Sequence, residues 1–405
     1  MRKKIALTLI ILISVTGLFI YSILNTKEEK EVKEPVKKNQ MVAFTVDGEN
    51  IDISFPQKGA GYLGESVTCT NGITGVWNND TWKLELSNLT TRTNCTINFI
   101  EYTPYLYEKI LEDNPNVETR TDFSTIFTES NNGDTIYKAS GQDGKDTYYF
   151  AGTVTNNYVY FGGYYWRIVR INEDNSVRLI YAGTSADDTA AFIGTSQEYN
   201  ISANNSSYVG YMYTLSEQYG AETDSDIKTV VDNWYASNLN SYDNYISKTA
   251  IYCNDRTVGN GTWSATGDAF YYAVRERLNT NKTPTFVCSN ANDRFTASST
   301  TGNGALTYPI GLITADEISY AGGLWVADNS NYYIAQNVSS GANYWWTMSP
   351  GNWNINNNLA LAFLVGGSSN PGYLNINYTN APRGVRPVIS LKACVTTTGG
   401  NGTAS

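Results

Sequence analysis

Short runs of strand-forming residues, separated by turns rich in Asn and Gly, recur along most of this 405-residue chain. Examples are VAFTVDG near the N-terminus and NYVYFGGYYWRIVRIN and SVRLIYAG further on. Aromatic and β-branched residues favour strands, whereas Asn and Gly favour turns. One helix is also indicated, because Ile227, Val230, Val231 and Trp234 follow the i, i+3, i+4, i+7 spacing of a core-facing stripe. The sequence therefore predicts an α+β protein with many short strands.

The N-terminal residues predict a membrane anchor and a stalk. After the basic start MRKK, residues 5–24 carry no charge, and about 20 apolar residues span a ~30 Å hydrocarbon core as a helix. The basic residues favour an N-terminus inside and the bulk of the chain outside, in an extracellular position. A cleaved signal peptide is the alternative, but the run is long and no small-x-small cleavage pattern follows it. Residues 25–40 mix charges of both signs and predict a solvated stalk.

Charge and composition narrow the classes of function. The formal net charge is -10 and the pI is near 4.7, which argues against nucleic-acid binding because that normally needs a basic face. The chain contains no histidine, so histidine-based acid/base catalysis and histidine metal ligation are excluded. We also find no GxSxG, Walker, Rossmann or HExxH motif. The chain is therefore predicted not to be an enzyme.

The pattern divides the part after the stalk into three regions. Residues 41–102 alternate with period 2 between DG, NG and NND turns and predict a small all-β, sandwich-like domain. Residues 103–395 mix strands with helices, including one predicted from Asp268 and one opened by a capping box at Thr314–Glu317. Residues 396–405 predict a flexible tail.

The five cysteines are expected to form disulfides, since these persist outside the cell. Local pairing predicts Cys69 with Cys95 and Cys253 with Cys288, and leaves Cys394 over, although spacing alone does not fix the connectivity. No CxxC spacing is present, so no zinc site is predicted.

Three stretches together resemble a bacterial surface family of unknown function that ends in a WWxxSP…GVRP signature. They are FGGYYWRIVRIN, YPIGLITADEISYAGG, and YWWTMSP followed by RGVRPVISLKA. That family is similar to the C-type-lectin-like fold of formylglycine-generating enzymes and of retroelement-diversified receptor proteins. The resemblance implies a C-type-lectin-like domain over 103–395 with a binding face near its C-terminal strands. It implies no chemistry here, because Cys394 lacks a second nearby cysteine and the EPN and QPD calcium triplets are absent. We predict no cofactor, and calcium binding would need ligands that no motif identifies.

The C-terminal segment supplies the predicted recognition face for a glycan or protein ligand. Aromatic rings give rigid contact area and Asn amides donate and accept hydrogen bonds, the side chains of adaptable binding surfaces. The alternative is that these residues only fill loops, since Asn is common throughout the chain. The predicted ligand-binding residues are Trp353, Asn354, Asn356, Asn358, Asn370, Tyr373, Asn375, Asn377 and Tyr378.

Other conspicuous residues are predicted to be structural. Trp345 and Trp346 lie in a strand that Pro350 is expected to break, and Arg386 lies in an apolar neighbourhood that predicts bonds to backbone carbonyls. The adjacent carboxylates Asp316 and Glu317 are explained by helix capping. The competing functions are a carboxylate-based glycan hydrolase, which would need an acidic pair in a cleft, and a structural component of the cell envelope.

Overall fold

The computed structural model describes residues 39–46 (backbone only), 56–58, 61–79, 81–91, 93–131 and 133–404. Strands account for 34% and helices for 17% of the structure, so the predicted mixed class rich in strands is confirmed. Within this part of the chain, no helix has both the length and the apolar character needed to cross a bilayer. The anchor predicted at residues 5–24 lies outside the described residues.

The first part of the chain forms a three-stranded sheet and a hairpin. The strands are β1 (Asn39–Val46), β2 (Tyr62–Cys69), β3 (Thr74–Asn78), β4 (Lys83–Ser87) and β5 (Thr93–Glu101). β5 is central, antiparallel to β1 and β2, and β3 pairs with β4. Ile97 and Phe99 are buried against the half-buried rings of Trp77 and Trp82. The predicted Cys69–Cys95 disulfide ties β2 to β5.

An eight-stranded sheet follows, in the order β18-β22-β11-β10-β8-β7-β6 with β9 paired to β10. All its neighbours are antiparallel except β6 and β7. Its strands are β6 (Asn116–Glu118), β7 (Thr135–Ser140), β8 (Asp146–Tyr149), β9 (Tyr158–Phe161), β10 (Tyr164–Ile171), β11 (Val177–Gly183), β18 (Ile310–Leu312) and β22 (Pro387–Leu391). Every residue of β11 and β22 is buried, so the centre of this sheet is covered on both faces.

A five-stranded sheet has the order β15-β16-β19-β20-β21. Its strands are β15 (Val258–Asn260), β16 (Phe270–Tyr272), β19 (Tyr344–Asn354), β20 (Leu359–Gly366) and β21 (Leu374–Tyr378). Two-stranded pairs join β12 (Met212–Tyr213) to β13 (Thr223–Asp224) and β14 (Tyr252–Cys253) to β17 (Arg294–Phe295). The prediction that Pro350 ends the strand is wrong: β19 continues past it, with the register shifting on both sides of Pro350. These bulges absorb a residue that cannot donate to the ladder.

The α-helices of the described residues are short and border the sheets. They are α1 (Leu106–Asp113), α2 (Asp226–Asn238), α3 (Ala273–Arg275), α4 (Ala315–Ala321) and α5 (Tyr333–Gln336). The α2 stripe and the capping box of α4 are confirmed. The helix predicted from Asp268 is wrong at its start, because Phe270–Tyr272 joins the sheet as β16. Helical turns begin at Ala273 and continue as a π-helix, Glu276–Asn281.

The predicted structural residues lie in the core. Trp345 and Trp346 are buried within β19. Arg386 is buried as well, and its guanidinium donates to the backbone carbonyls of Tyr181 and Ile334 at 2.8–3.0 Å. The predicted bonding of Arg386 to carbonyls is therefore confirmed.

Candidate functional site

A buried carboxylate, Glu317, joins two arginines that face each other on neighbouring strands. Arg170 on β10 pairs in register with Arg178 on β11, an arrangement of like charges that is unfavourable without a counterion. Oε1 of Glu317 lies 3.0 Å from Nε of Arg170 and 3.3 Å from Nε of Arg178. Its Oε2 accepts a hydrogen bond from the Thr314 backbone N–H at 2.9 Å. The same carboxylate therefore caps α4 and neutralises the arginines of the sheet.

The electrostatics of this cluster favour an ionised Glu317. Burial alone would raise the pKa of its carboxyl group, but Arg178 and Arg170 outweigh burial and hold that pKa below its usual range. Burial lowers the pKa of the Arg178 guanidinium, and Glu317 opposes that effect. Charged partners inside a protein stabilise each other only when their remaining hydrogen-bonding positions are also filled. The Thr314 cap fills one such position on Glu317.

A second ion-paired group is centred on Arg277, in the π-helical turn. Its Nε and NH2 atoms each lie 2.7 Å from one carboxylate oxygen of Asp316, and its NH1 lies 2.7 Å from Oδ2 of Asp255. Such a bidentate contact fixes both position and orientation. Burial would lower the pKa of Arg277, but Asp316 and Asp255 reverse that effect and raise it. Since Asp316 and Glu317 are consecutive, the first turn of α4 organises both groups.

The two ion-paired groups line one cavity of about 300 Å³, a volume at the lower end of the range for small-molecule sites. The buried charged and polar side chains that line it are Arg170, Asn172, Asp255, Asp316, Glu317 and Ser349. Exposed residues form its mouth: Asp143, Lys145, Asp174 and Thr249. The cavity therefore opens to solvent over a floor of fixed charges.

The turn between β10 and β11 supplies hydrogen-bond acceptors to this cavity. Asn172 is only 5% exposed, and its Nδ2 donates to the hydroxyls of Ser176 and Ser390 at 2.8 and 3.3 Å. Its Oδ1 is buried and accepts no hydrogen bond from any described residue. A buried acceptor without a donor is costly. The next residue, Glu173, accepts hydrogen bonds from the Gln142 N–H and from Arg170 through Oε1.

A disulfide holds another part of the cavity wall. The predicted bond between Cys253 and Cys288 is present, and Cys253 lines the cavity together with the half-buried Val287. The Cys288 N–H donates to Oε1 of Gln142 at 3.0 Å. Cys394, the remaining cysteine, is exposed and unpaired. The wall is therefore tied covalently to β14 and by a hydrogen bond to the loop before β8.

The predicted recognition residues lie away from this cavity. Asn354 ends β19, while Asn356 and Asn358 are exposed in the turn that follows. Tyr378 shares that end of the β20–β21 pair, and its hydroxyl accepts a hydrogen bond from Asn357 at 3.3 Å. The structure thus brings these residues to one exposed turn, separate from the charged cluster.

Most of the other predicted recognition residues form side-chain hydrogen bonds within the protein. Asn375 and Asn377 on β21 each accept a hydrogen bond from the next backbone N–H, at 2.8 and 2.7 Å. Asn370 accepts from the Tyr344 hydroxyl at 2.7 Å and, with half-buried Tyr373, lies in the β20–β21 connection at the opposite end of the hairpin. The nine residues therefore do not form one continuous surface.

The prediction that Trp353 binds ligand is wrong. Its side chain is fully buried, packs with Phe270 and Tyr272, and donates from Nε1 to the Gly267 carbonyl at 2.8 Å. The reason is that β19 extends through Trp353 instead of ending at Pro350, which keeps the ring inside the sheet.

Sequence reasoning missed the two arginines that Glu317 joins. Arg170 and Arg178 stand in strands that otherwise consist of buried apolar residues, apart from two half-buried tyrosines and a third buried arginine in β10. A charge in such a strand needs a buried partner, because the charged form is otherwise penalised. That signal was present in RIVRIN and SVRLI, but it does not identify which distant carboxylate is the partner.

Among the described residues, no group of three or more Cys, Asp or Glu side chains is arranged to hold a metal ion. The carboxylates that line the floor of the cavity are instead paired with arginines. Comparison with known proteins gives no match for this chain among family models, curated proteins or solved structures.

Proposed function

We propose that this protein is a membrane-anchored, extracellular binding protein with a C-type-lectin-like domain, and that a small polar ligand enters the cavity over Glu317 and Arg277. The observation that carries the proposal is that Asn172, which lines an open cavity, has a buried Oδ1 that accepts no hydrogen bond from any described residue. The sequence motifs and the uncharged residues 5–24 support the domain type and the anchor. A bound ligand with a donor group would satisfy an acceptor that otherwise costs about 1–3 kcal/mol.

Binding is favoured over hydrolysis by the state of the carboxylates. A glycosidase needs one carboxyl group that holds a proton for the leaving group. Glu317 is held in its ionised form by Arg178 and Arg170, and both carboxylate oxygens of Asp316 accept hydrogen bonds from one edge of the Arg277 guanidinium, its Nε and Nη2. These groups are equipped to orient a ligand through fixed charges. They are poorly equipped to donate a proton.

The test is a ligand screen with a blocked cavity. The full chain, purified in detergent, is screened against a glycan array and a panel of amino acids and short peptides. Thr249→Trp places a large ring at the mouth, while Thr307→Trp makes the same change at an exposed threonine that does not line the cavity. A hit that Thr249→Trp abolishes and Thr307→Trp retains supports the proposal. Hits that survive in both variants would show that the ligand does not bind in the cavity.

The exposed turn after β19 is a second candidate surface, consistent with the predicted recognition face. Asn356 and Asn358 are exposed there beside Tyr378, and rings with amides suit contacts to sugars or proteins. The variant Asn356→Ala with Asn358→Ala tests it in the same screen. Loss of a hit in this variant, together with its survival in Thr249→Trp, would assign recognition to the turn.

A further inference from the structure

We infer that the cavity selects a ligand carrying a primary ammonium group, the chemistry shared by amino sugars and by the amines of amino acids and peptides. This inference rests on the proposed function, because it names the ligand class for the same site. It is drawn from the balance of charges, the position of the free acceptors and the rigidity of the wall.

The charge balance around the cavity is negative. Six carboxylates line it against three cations, a formal excess of three negative charges. Arg178, which lies behind the wall and contacts Glu317, reduces this excess to two. Low-dielectric walls strengthen the field of such a cluster. A cationic ligand is therefore attracted, and an anionic ligand would add to an existing excess of negative charge.

Each floor carboxylate contacts an arginine, and the excess is shared between the Arg277 group, where two carboxylates face one cation, and the mouth. Arg277 engages Asp255 and Asp316, while Arg170 engages Glu317. Two carboxylates near the opening, Asp143 and Asp174, face solvent with Lys145 as the exposed lining cation. An incoming ammonium group therefore meets net negative charge before it reaches the ion pairs of the floor.

The free acceptors sit on three consecutive residues of one turn. Oδ1 of Asn172 has no donor among the described residues. The hydrogen bonds that Glu173 accepts within the described chain all go to Oε1, and Oδ2 of Asp174 has only a weak contact of 3.4 Å with the Thr249 hydroxyl. An ammonium group carries three donors and no acceptor. Its donors therefore match the acceptor oxygens of this turn.

The turn is held in place before ligand arrives. Oδ1 of Asp174 accepts from the Ser176 N–H and hydroxyl at 3.0 and 2.5 Å, and Glu173 is fixed by the Gln142 N–H at 2.9 Å. A β-carbon on Gly141 would lie 2.0 Å from Oε1 of Glu173, so the loop before β8 packs tightly on this carboxylate. Preorganised acceptors bind with less loss of conformational entropy.

The experiment compares ligands that share a sugar ring and differ in charge. Binding of glucosamine, N-acetylglucosamine and glucuronate to the full chain is measured by isothermal titration calorimetry. Nα-acetyl-lysine amide is the parallel probe for an amine on a peptide. We expect glucosamine or the lysine amide to bind at least about tenfold more tightly than N-acetylglucosamine, as for a charge-assisted hydrogen bond of ordinary strength. The stronger of these two probes identifies the source of the amine.

A charge-removing variant assigns the effect to the turn. Glu173→Gln keeps the shape and the Oε1 acceptor, and is expected to weaken binding of the amine about tenfold. Glu217→Gln removes an exposed carboxylate outside the cavity and is expected to change nothing. If Glu173→Gln fails to fold by circular dichroism, Asp174→Asn at the exposed mouth takes its place with the same expected direction.

Several results would overturn the inference, and they separate it from the proposed function. Equal or tighter binding of N-acetylglucosamine or glucuronate, lost in Thr249→Trp, would leave a binding cavity of another selectivity. Failure of both amines to bind up to 10 mM (roughly the −3 kcal/mol limit of weak association), with a cavity-dependent hit elsewhere in the screen, would do the same. Failure of every probe and of the screen would overturn both proposals.

Discussion

Two regions of this protein bury arginine in opposite ways. Arg386 is surrounded by backbone carbonyls and the Trp345 ring, and no described carboxylate lies within ion-pair distance. Burial lowers its pKa to about 9. Arg277, in contrast, is engaged by Asp316 and Asp255, and its pKa is raised. The first arrangement serves the fold alone, whereas the second faces an open cavity.

The two arginines differ in whether their partners can also act on a ligand. Arg386 does not line the cavity, and its guanidinium joins the carbonyl of Tyr181 on β11 to that of Ile334 on α5. The carboxylates around the cavity belong to α4, the turn after β10, the segment after β14 and the loop before β8. They create a field that a ligand of opposite charge can use.

Removing the shared carboxylate should have the largest effect on stability. Glu317→Gln leaves Arg170 and Arg178 without their common counterion, and loss of one partner of a buried pair costs about 3–5 kcal/mol. Chemical unfolding monitored by circular dichroism measures this, with Glu217→Gln as the matched control at an exposed position. The double variant Glu317→Gln with Arg178→Met should recover part of the loss. A cost below about 1 kcal/mol, typical of exposed pairs, would contradict the role of Glu317.

Opening the second disulfide should be the next largest effect. The bond between Cys253 and Cys288 closes a loop with a sequence separation of 35, and such a cross-link contributes about 3 kcal/mol. Cys253→Ser with Cys288→Ser should lower the free energy of unfolding by this amount and weaken ligand binding at the cavity. Cys394→Ser, which removes an exposed free thiol, is the control. Unchanged binding in the double variant would show that the wall does not depend on the bond.

Replacing the carbonyl-bound arginine should destabilise the fold without touching the cavity. Arg386→Met leaves the Tyr181 and Ile334 carbonyls without their donor but also removes a buried charge, so we expect a loss of about 2 kcal/mol. Ligand affinity of the folded variant should stay the same, which calorimetry checks. A selective loss of affinity in a variant of unchanged stability would reverse the contrast between the two regions.

Acid should remove the stability that Glu317 contributes and leave the contribution of Arg386 unchanged. The folded pKa of Glu317 lies below its unfolded value of 4.5, so its contribution is full above that pH and is lost as pH falls through the folded pKa. Unfolding free energies of the native chain between pH 3 and 6 should therefore decline on the acid side. The decline should be smaller in Glu317→Gln and unchanged in Arg386→Met. Equal slopes in all three proteins would contradict the coupling.

The sequence predicts the elements better than the site. Periodicity identifies α2, and the Thr314–Glu317 box identifies the start of α4, because both signals are local. The same kind of local signal wrongly predicts that the strand ends at Pro350. The bulges that accommodate this proline depend on pairing with β20, which is not visible in the local sequence. The wrong prediction that Trp353 binds ligand has the same cause, because β19 extends through this residue.

The cavity could not be predicted because its parts are distant in sequence. Arg170 meets Glu317 across 147 residues, and Arg277 meets Asp316 across 39. Charged residues in buried strands signal that partners exist, yet only the folded chain shows which carboxylates are used. The sequence predicts that Asp316 and Glu317 act only in helix capping. That explanation is correct for Glu317 and incomplete, because both also bind arginine.

The most direct test of the central claim is a crystal structure of the full chain grown with glucosamine. The account predicts electron density for the sugar in the cavity, with its ammonium group within hydrogen-bond distance of Oδ1 of Asn172 and the carboxylate of Glu173. Density at the Asn356–Asn358 turn, with only water between Glu317 and the mouth, would contradict it.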